Sequence, residues 1–371
     1  MLKYQIGITQ IKGIGTNLAK ILIAYTGSPE AVFTEKRQVL EKIPGIGSIL
    51  SSKIVSQREE ALENAEKELE FIRKNNISTF YFADSNYPFR LKECADAPVL
   101  LYGRGNADLN NGKFIGIVGT RKATDAGKEN CKKLILDIAK NLPNSIIVSG
   151  LAYGVDICAH KSALDVGLPT IGVLAHGLDR LYPPTHSATA KSMLEKGALL
   201  TEFPSGTNPD KPNFVQRNRI IAGMCDALVI VESSEKGGSL ITAEMANDYN
   251  RDVFAFPGRT TDESSRGCNA LIKSNKAALI ESADDLLRFM SWEKSEKENQ
   301  NHSMQTSLFV ELTADEQEIH AVLRQHSDGI QTNELAILLT KPVSKISSLL
   351  LEMEFKNLVK CLPGNVYKVM K

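Results

Sequence analysis

The chain has 371 residues, an apolar fraction of 42% and 44 basic against 44 acidic residues, for a formal net charge of zero. Its length allows two or three domains with at least one large core, while its neutrality excludes coating of nucleic acid by bulk charge, so any polyanion site must be local. No apolar run reaches the roughly 20 residues of a membrane span, Met1-Leu2-Lys3-Tyr4-Gln5 lacks a signal-peptide layout, and the six cysteines show neither a C-x-x-C pair nor zinc spacing. The expectation is a cytoplasmic protein with structural thiols, no metal and no other cofactor.

Residues 1–75 contain an internal repeat. "IKGIG" at Ile11 to Gly15 returns as "IPGIG" at Ile43 to Gly47, 32 residues later, and Leu18 is echoed by Leu50. Each copy is a glycine turn leading into helical sequence, the pattern of a helix-hairpin-helix, in which backbone amides at a helix start meet a DNA phosphate. The same turn also serves simply to pack two helices together. Residues 57 to 75, "QREEALENAEKELEFIRKN", alternate in charge with apolar residues at helical spacing, and read as a mostly solvated bridging helix.

From residue 76 to 290 the pattern changes. A short aromatic strand in "STFYF" extends the sheet that follows. Seven apolar runs then alternate with helical stretches: "FIGIV" (114–118), "IIV" (146–148), "TIGVL" (170–174), "ALLTE" (198–202), "ALVIVE" (227–232), "DVFAF" (252–256) and "AALI" (277–280). Strands buried on both faces read this way, and alternation with helices predicts an α/β fold with a doubly wound, mostly parallel Rossmann-like sheet. Residues 291–310 are polar and read as a linker. Residues 311–371 give three helices and a hairpin turning at Pro363-Gly364-Asn365, the order of a winged helix.

Ligands of such sheets gather at the carboxyl ends of the strands, and four strand ends carry unusual chemistry. "GIVGTRKAT" places Gly119 at a sharp exit beside Arg121, a fork-shaped phosphate donor. "IIVSGLAYGVD" sets Ser149, Gly150 and Gly154 where a strand hands over to a helix. "AHGLDRLYPP" brings Arg180 next to the stacking ring of Tyr182, and "EKGGSLITAE" opens a helix with Gly238 and Ser239. In "FVQRNRIIAG", Arg217 and Arg219 occupy a helix otherwise suited to the core, and need a partner, either a phosphate chain or a neighbour such as Glu202. "GIVGTR" lacks the dinucleotide fingerprint, and no Walker loop occurs. Asp156 and His160, four apart on a helix, have no third ligand and read as structural hydrogen bonding.

"IVGTRKAT", "IVSGLAYGVDICAH", "GLDRLYP", "RNRIIAG", "GGSLITAEMA" and "VFAFPG" followed by "GCNALI", in this order, resemble the bacterial DNA processing family DprA, also called Smf. The resemblance implies a non-catalytic protein that binds single-stranded DNA without sequence preference, protects incoming strands in natural transformation and helps RecA displace single-strand-binding protein. It also implies a homodimer formed through the Rossmann-like domain. Carried over by motif, Arg121 holds a phosphate, Ser149 and Gly150 offer an amide cradle, and Arg180 follows the backbone, with Arg217, Arg219, Gly238 and Ser239 along the same edge. Where relatives read "VLGxGLD", this chain has "VLAHGLD", which places His176 in the loop as a solvated residue or a phosphate contact. The C-terminal unit sets Lys345 and Lys356 against Glu352 and Glu354, which suits protein contact better than groove reading.

Two other readings stand beside this one. A nucleotide N-glycosidase of the phosphoribohydrolase type carries P-G-G-x-G-T-x-x-E, of which Gly237, Gly238 and Glu244 keep the spacing, while Lys236, Leu240 and Ile241 depart from it. An assembly scaffold would use the apolar surface of its helices to hold protein partners, with DNA contact incidental.

Overall fold

The computed structural model describes residues 1–292, 313–324, 326, 329–356, 358–362 and 365–369. The chain divides into two compact units, residues 1–295 and 296–371. Most of the expected linker, residues 293–310, lies outside the described residues, as do Pro363 and Gly364 of the expected closing turn.

Five helices open the first unit: α1 (Leu2–Gln10), α2 (Thr16–Thr26), α3 (Pro29–Thr34), α4 (Arg37–Leu40) and α5 (Gly47–Lys74). The repeated pentapeptides form the turns that precede α2 and α5. In each, the second isoleucine amide donates to the first isoleucine carbonyl, Ile14 to Ile11 at 3.2 Å and Ile46 to Ile43 at 3.1 Å. Between them Gly13 and Gly45 take φ of 93° and 81°, where a side chain would be strained. The copies pack reciprocally, since a Cβ on Gly45 would lie 3.1 Å from Leu18 Cδ2 and one on Gly13 3.8 Å from Leu50 Cδ2. Residues 57–74 are not a solvated spacer: they are the body of α5. Ala61, Ala65, Leu69 and Ile72 recur every three or four residues and bury one stripe in the core that the helices share with Tyr81, Val99, Leu100 and Tyr102.

Nine strands follow within the unit: β1 (Ser78–Tyr81), β2 (Leu100–Gly105), β3 (Lys113–Val118), β4 (Ser145–Ser149), β5 (Thr170–Val173), β6 (Ala198–Thr201), β7 (Ala227–Ile230), β8 (Asp252–Ala255) and β9 (Ala278–Leu279). They form one sheet in the order β1-β2-β6-β5-β4-β3-β7-β8-β9. From β6 to β9 every neighbouring pair is parallel, while β1 and β2 add an antiparallel edge. The helices α6 (Phe89–Lys92), α7 (Asp125–Asn141), α8 (Val155–Asp165), α9 (Ser187–Lys196), α10 (Lys211–Met224), α11 (Gly238–Asp248), α12 (Arg266–Lys273) and α13 (Ala283–Phe289) complete it.

Residue alternation along β3 shows why the apolar runs are continuous. Phe114 and Val118 point into one layer with Ile220 and Ile221 of α10, and Ile115 and Ile117 into the other with Leu134 and Ile135 of α7 and Ala159 of α8. Strand order reverses at β3, with Ile115 opposite Ile147 of β4 on one side and Ala227 of β7 on the other. That reversal opens a crevice at the strands' carboxyl ends.

The second unit has α14 (Ala314–Arg324), β10 (Ile330–Gln331), α15 (Thr332–Leu338), α16 (Val343–Phe355), β11 (Val359–Leu362) and β12 (Val366–Val369), with strands ordered β10-β12-β11. Ile319, Leu335, Ile346, Leu350 and Met353 form its core. This is winged-helix order, with the short strand β10 added to the expected three helices and hairpin.

Candidate nucleic-acid interface

The crevice beside β3 is a cleft of about 470 Å³ that all four strand-end loops reach. Gly119, Thr120 and Arg121 line it from the end of β3, Ala152 from the second loop, Tyr182 from the third, and Gly237, Gly238 and Ser239 from the start of α11. The helix α10 supplies Lys211, Phe214, Arg217 and Asn218 on its cleft-facing side.

Glu232, at the end of the "ALVIVE" run, ties the Arg121 loop down. Its backbone carbonyl accepts the Thr120 amide at 2.7 Å, and its carboxylate accepts the amide and the hydroxyl of Thr124, each at 2.8 Å. Thr124 in turn caps α7, its Oγ accepting from the Gly127 amide at 3.1 Å. On the other side Gly154, with φ of 78°, packs on the same loop. A Cβ there would lie 2.1 Å from the Thr120 carbonyl oxygen, and one on Gly119 would lie 2.5 Å from Val155 Cγ2.

Beneath the cleft floor the polar groups satisfy one another. The Ser149 hydroxyl donates to the Ile117 carbonyl at 2.6 Å. The Gly150 and Ala152 amides both donate to Asp156 Oδ2, at 3.2 and 3.4 Å. Arg217, buried, donates to the Gly150 carbonyl at 2.6 Å and to that of Val173. Burial pushes the Asp156 carboxyl upward, opposed chiefly by the Arg217 charge, and burial also lowers Arg217, to about 10. Arg219 lies on the far side of α10 and pairs with Glu202 and the Asp96 carbonyl. A desolvated guanidinium takes the nearest acceptors, and for both arginines these are internal. The loop of Ser149 and Gly150 therefore spends its donors on its own floor.

Other groups are presented outward. Arg121 is exposed and its guanidinium lies 5.0 Å from the Phe214 ring centroid, a cation–π contact. The Tyr182 ring, 41% exposed, meets Phe214 edge-on at 5.9 Å. Arg180 is exposed on the same loop as Tyr182 but does not line the cleft, and its fork is held by Asp179 at 2.8 Å and by Asn208. Gly238 is exposed with open space where a side chain would stand, while the Ser239 hydroxyl donates to Ser233 Oγ at 2.9 Å. Among the described residues neither Arg121 nor Lys211 enters an ion pair, so the cleft rim carries uncompensated positive charge. Sequence reasoning passed over Phe214, Lys211 and Glu232. Helical spacing offered a signal for the first two, since positions 211, 214 and 218 share one face of α10.

His176 is neither solvated nor at the rim. It is buried, its Nδ1 bonded to the Gly177 carbonyl at 2.9 Å and its Nε2 accepting the Tyr182 amide at 3.2 Å, so it clamps the loop that carries Arg180. His160 is bonded to Thr170 Oγ at 2.7 Å and shares no hydrogen-bond partner with Asp156. Glu244 faces away from the cleft, paired with Lys276 at 3.0 Å. In the second unit Lys345 and Lys356 are paired with Asp315 at 2.7 Å and Glu316 at 2.6 Å. Among the described residues no group of three or more metal-binding side chains occurs, and no helix is long and apolar enough to cross a membrane.

A doubly wound parallel sheet, with a cationic and aromatic cleft where its strand order reverses, defines the class: a Rossmann-like α/β protein with its ligand crevice at the switch point. The chain belongs to the DNA recombination-mediator protein A family, whose model matches residues 78–291. Protein Smf of Synechocystis is 36% identical over 288 residues, which cover 76% of this chain and 71% of the relative. DNA processing protein DprA of Streptococcus pneumoniae is 36% identical over 253 residues, covering 68% of this chain and 87% of the relative. The X-ray structure of DprA from the same species superposes with a TM-score of 0.67 at 32% identity, covering 78% of this chain and 98% of that one. A structure describing the single-stranded DNA binding mode of DNA processing protein A from Helicobacter pylori gives a TM-score of 0.52 at 29% identity, covering 58% and 95%.

Proposed function

We propose that the chain binds single-stranded DNA without sequence preference across the cleft beside β3, as a recombination mediator that turns over no substrate. In this reading it works in the cytoplasm as a homodimer formed through the α/β region, protects incoming strands during natural transformation, and passes them to RecA against single-strand-binding protein. Arg121, Lys211 and Gly238 face the phosphates across the cleft, Arg180 meets the strand just beyond it, Ser239 braces the start of α11 through Ser233, and Phe214 with Tyr182 stacks bases. Gly119, Ser149, Gly150, Gly154, Arg217 and Arg219 hold the loops in place behind them.

The observation that carries the reading is Arg121 lying over Phe214 on a rim with unpaired cations, because a backbone-tracking charge beside a stacking ring is what sequence-tolerant single-strand binding requires. The H. pylori relative, described by its single-stranded DNA binding, supports the choice of ligand. The glycosidase reading loses its carboxylate, since Glu244 is engaged by Lys276 outside the cleft. In the second unit the paired lysines and the exposed Leu351 and Phe355 of α16 favour contact with protein over DNA.

The test is a titration of the chain with oligothymidine in increasing salt, comparing wild type with Arg121→Glu plus Arg180→Glu. The double variant should bind more weakly, with a log–log salt slope shallower by about 0.7 for each phosphate that is no longer neutralised. Unchanged affinity and slope would remove the cleft from the proposal.

A further inference from the structure

The helices α7 and α8 lie side by side on one layer of the sheet, and each contributes a thiol to their contact. Cys131, in the second turn of α7, is wholly buried among Leu134, Ile135 and Ala159, and Cys158, in the first turn of α8, is half-buried against the same cluster. The Cys158 sulfur sits 3.6 Å from the Lys128 carbonyl, one turn before Cys131 on α7. The two thiols are neighbours across this helix contact, and Ser162, one turn along α8, lies beside Cys158 as well. Buried Cys94, Cys225 and Cys268 instead lie against backbone carbonyls of Arg90, Ile221 and Ile230.

The surroundings divide the roles. Chiefly through the Cys131 S–H, then Ser162 and the charges of Lys132 and Lys128, the Cys158 thiol is lowered to about 6, whereas Cys131 is pushed upward by Cys158 and by burial. An accessible thiolate beside a buried thiol is the arrangement of a redox-active pair with an attacking and a resolving sulfur.

We propose that Cys158 and Cys131 form a redox-active dithiol, in which Cys158 reacts with a peroxide and Cys131 closes the disulfide. The Cys158 thiolate attacks a peroxide oxygen, the O–O bond breaks, and hydroxide leaves to be protonated to water, giving a sulfenic acid. The Cys131 sulfur then attacks the Cys158 sulfur, the S–O bond breaks, and the second hydroxide takes up the Cys131 proton. In sum two thiols and one peroxide give one disulfide and two waters. The bond would tie α7 to α8 just behind the loops that start both helices, and its formation does not depend on the DNA reading.

The experiment treats the full reduced chain with hydrogen peroxide, blocks remaining thiols with iodoacetamide, and maps peptides by mass spectrometry. The expected product is a dithiothreitol-reversible disulfide joining the peptides of Cys131 and Cys158. In the untreated chain, alkylation of Cys158 should be nearly flat between about pH 7 and 8.5, while that of free glutathione in the same buffer rises more than about tenfold. Cys131→Ser should leave Cys158 as a sulfenic acid trapped by dimedone, and Cys158→Ser should leave Cys131 unoxidised. A wild-type chain that keeps both thiols after peroxide treatment would overturn the proposal whatever the variants do. So would oxidation of Cys131 at the same rate in Cys158→Ser.

Discussion

Arg217 shows how one buried cation organises the cleft from below. Its donors reach the Gly150 and Val173 carbonyls, at the ends of β4 and β5, and its charge faces Asp156, the acceptor of the Gly150 and Ala152 amides. Removing the guanidinium strands a carboxylate and two carbonyls away from water. Arg217→Ala should therefore cost about 3–5 kcal/mol, read as a lower urea midpoint, whereas Arg121→Ala, at an exposed position, should move it by less than about 0.5 kcal/mol. DNA affinity would fall in both, so the urea midpoint separates the residue that builds the floor from the one that meets the ligand.

Among the elements, the five-helix bundle holds together through its repeat. Each hairpin brings one leucine against the other copy's glycine, Leu18 on Gly45 and Leu50 on Gly13. Both leucines are half-buried, so Leu18→Ala and Leu50→Ala should each cost about 1–2 kcal/mol, below the 2–5 kcal/mol of a fully buried leucine. Tyr25→Ala, at a side chain 64% exposed on the same bundle, is the control and should be near neutral by thermal denaturation. The bundle is also fastened to the sheet, since Glu68 of α5 accepts the Ser205 amide at 3.0 Å and the Ser205 hydroxyl. A weakened bundle should thus lower the unfolding midpoint of the first unit as a whole.

For the molecule as a whole, acid stability depends on a histidine that folding keeps neutral. Thr170 spends its only hydroxyl proton on the Ile147 carbonyl at 3.0 Å, so it accepts from His160 Nδ1–H, and His160 Nε2 is left buried without a partner. A second proton would sit there with no acceptor, near the charges of Arg217 and His186, and burial together with those charges lowers the group to about 3. The unfolded value is near 6.5. With the folded value below the unfolded one, stability is complete above about pH 6.5 and is lost as pH falls toward 3, by about 1.4 kcal/mol per pH unit. From about pH 7 to pH 5 the loss should be near 2 kcal/mol. Urea titrations at both pH values should show it, and His160→Gln should flatten the difference; an equal pH dependence in the variant would count against this group.

Local pattern and composition were sufficient for the seven sheet strands, their parallel alternation with helices, the paired hairpin turns and the four loops that gather at one sheet edge. All of these depend on residue spacing, which a sequence displays directly. The sequence alone could not decide which polar groups face the ligand and which face each other. Arg121 and Arg217 look alike along the chain, yet one stands over Phe214 in solvent and the other is consumed by carbonyls from two other strands. His176 reads as a loop residue until the fold closes that loop over its ring. Residues 57–74 look solvated until α1 and its neighbouring helices cover one side of their helix, and Cys131 and Cys158 look solitary until α7 and α8 pack. In each case the deciding partner is distant in sequence, and a side chain's burial and charge are set by that partner once the chain has closed on itself.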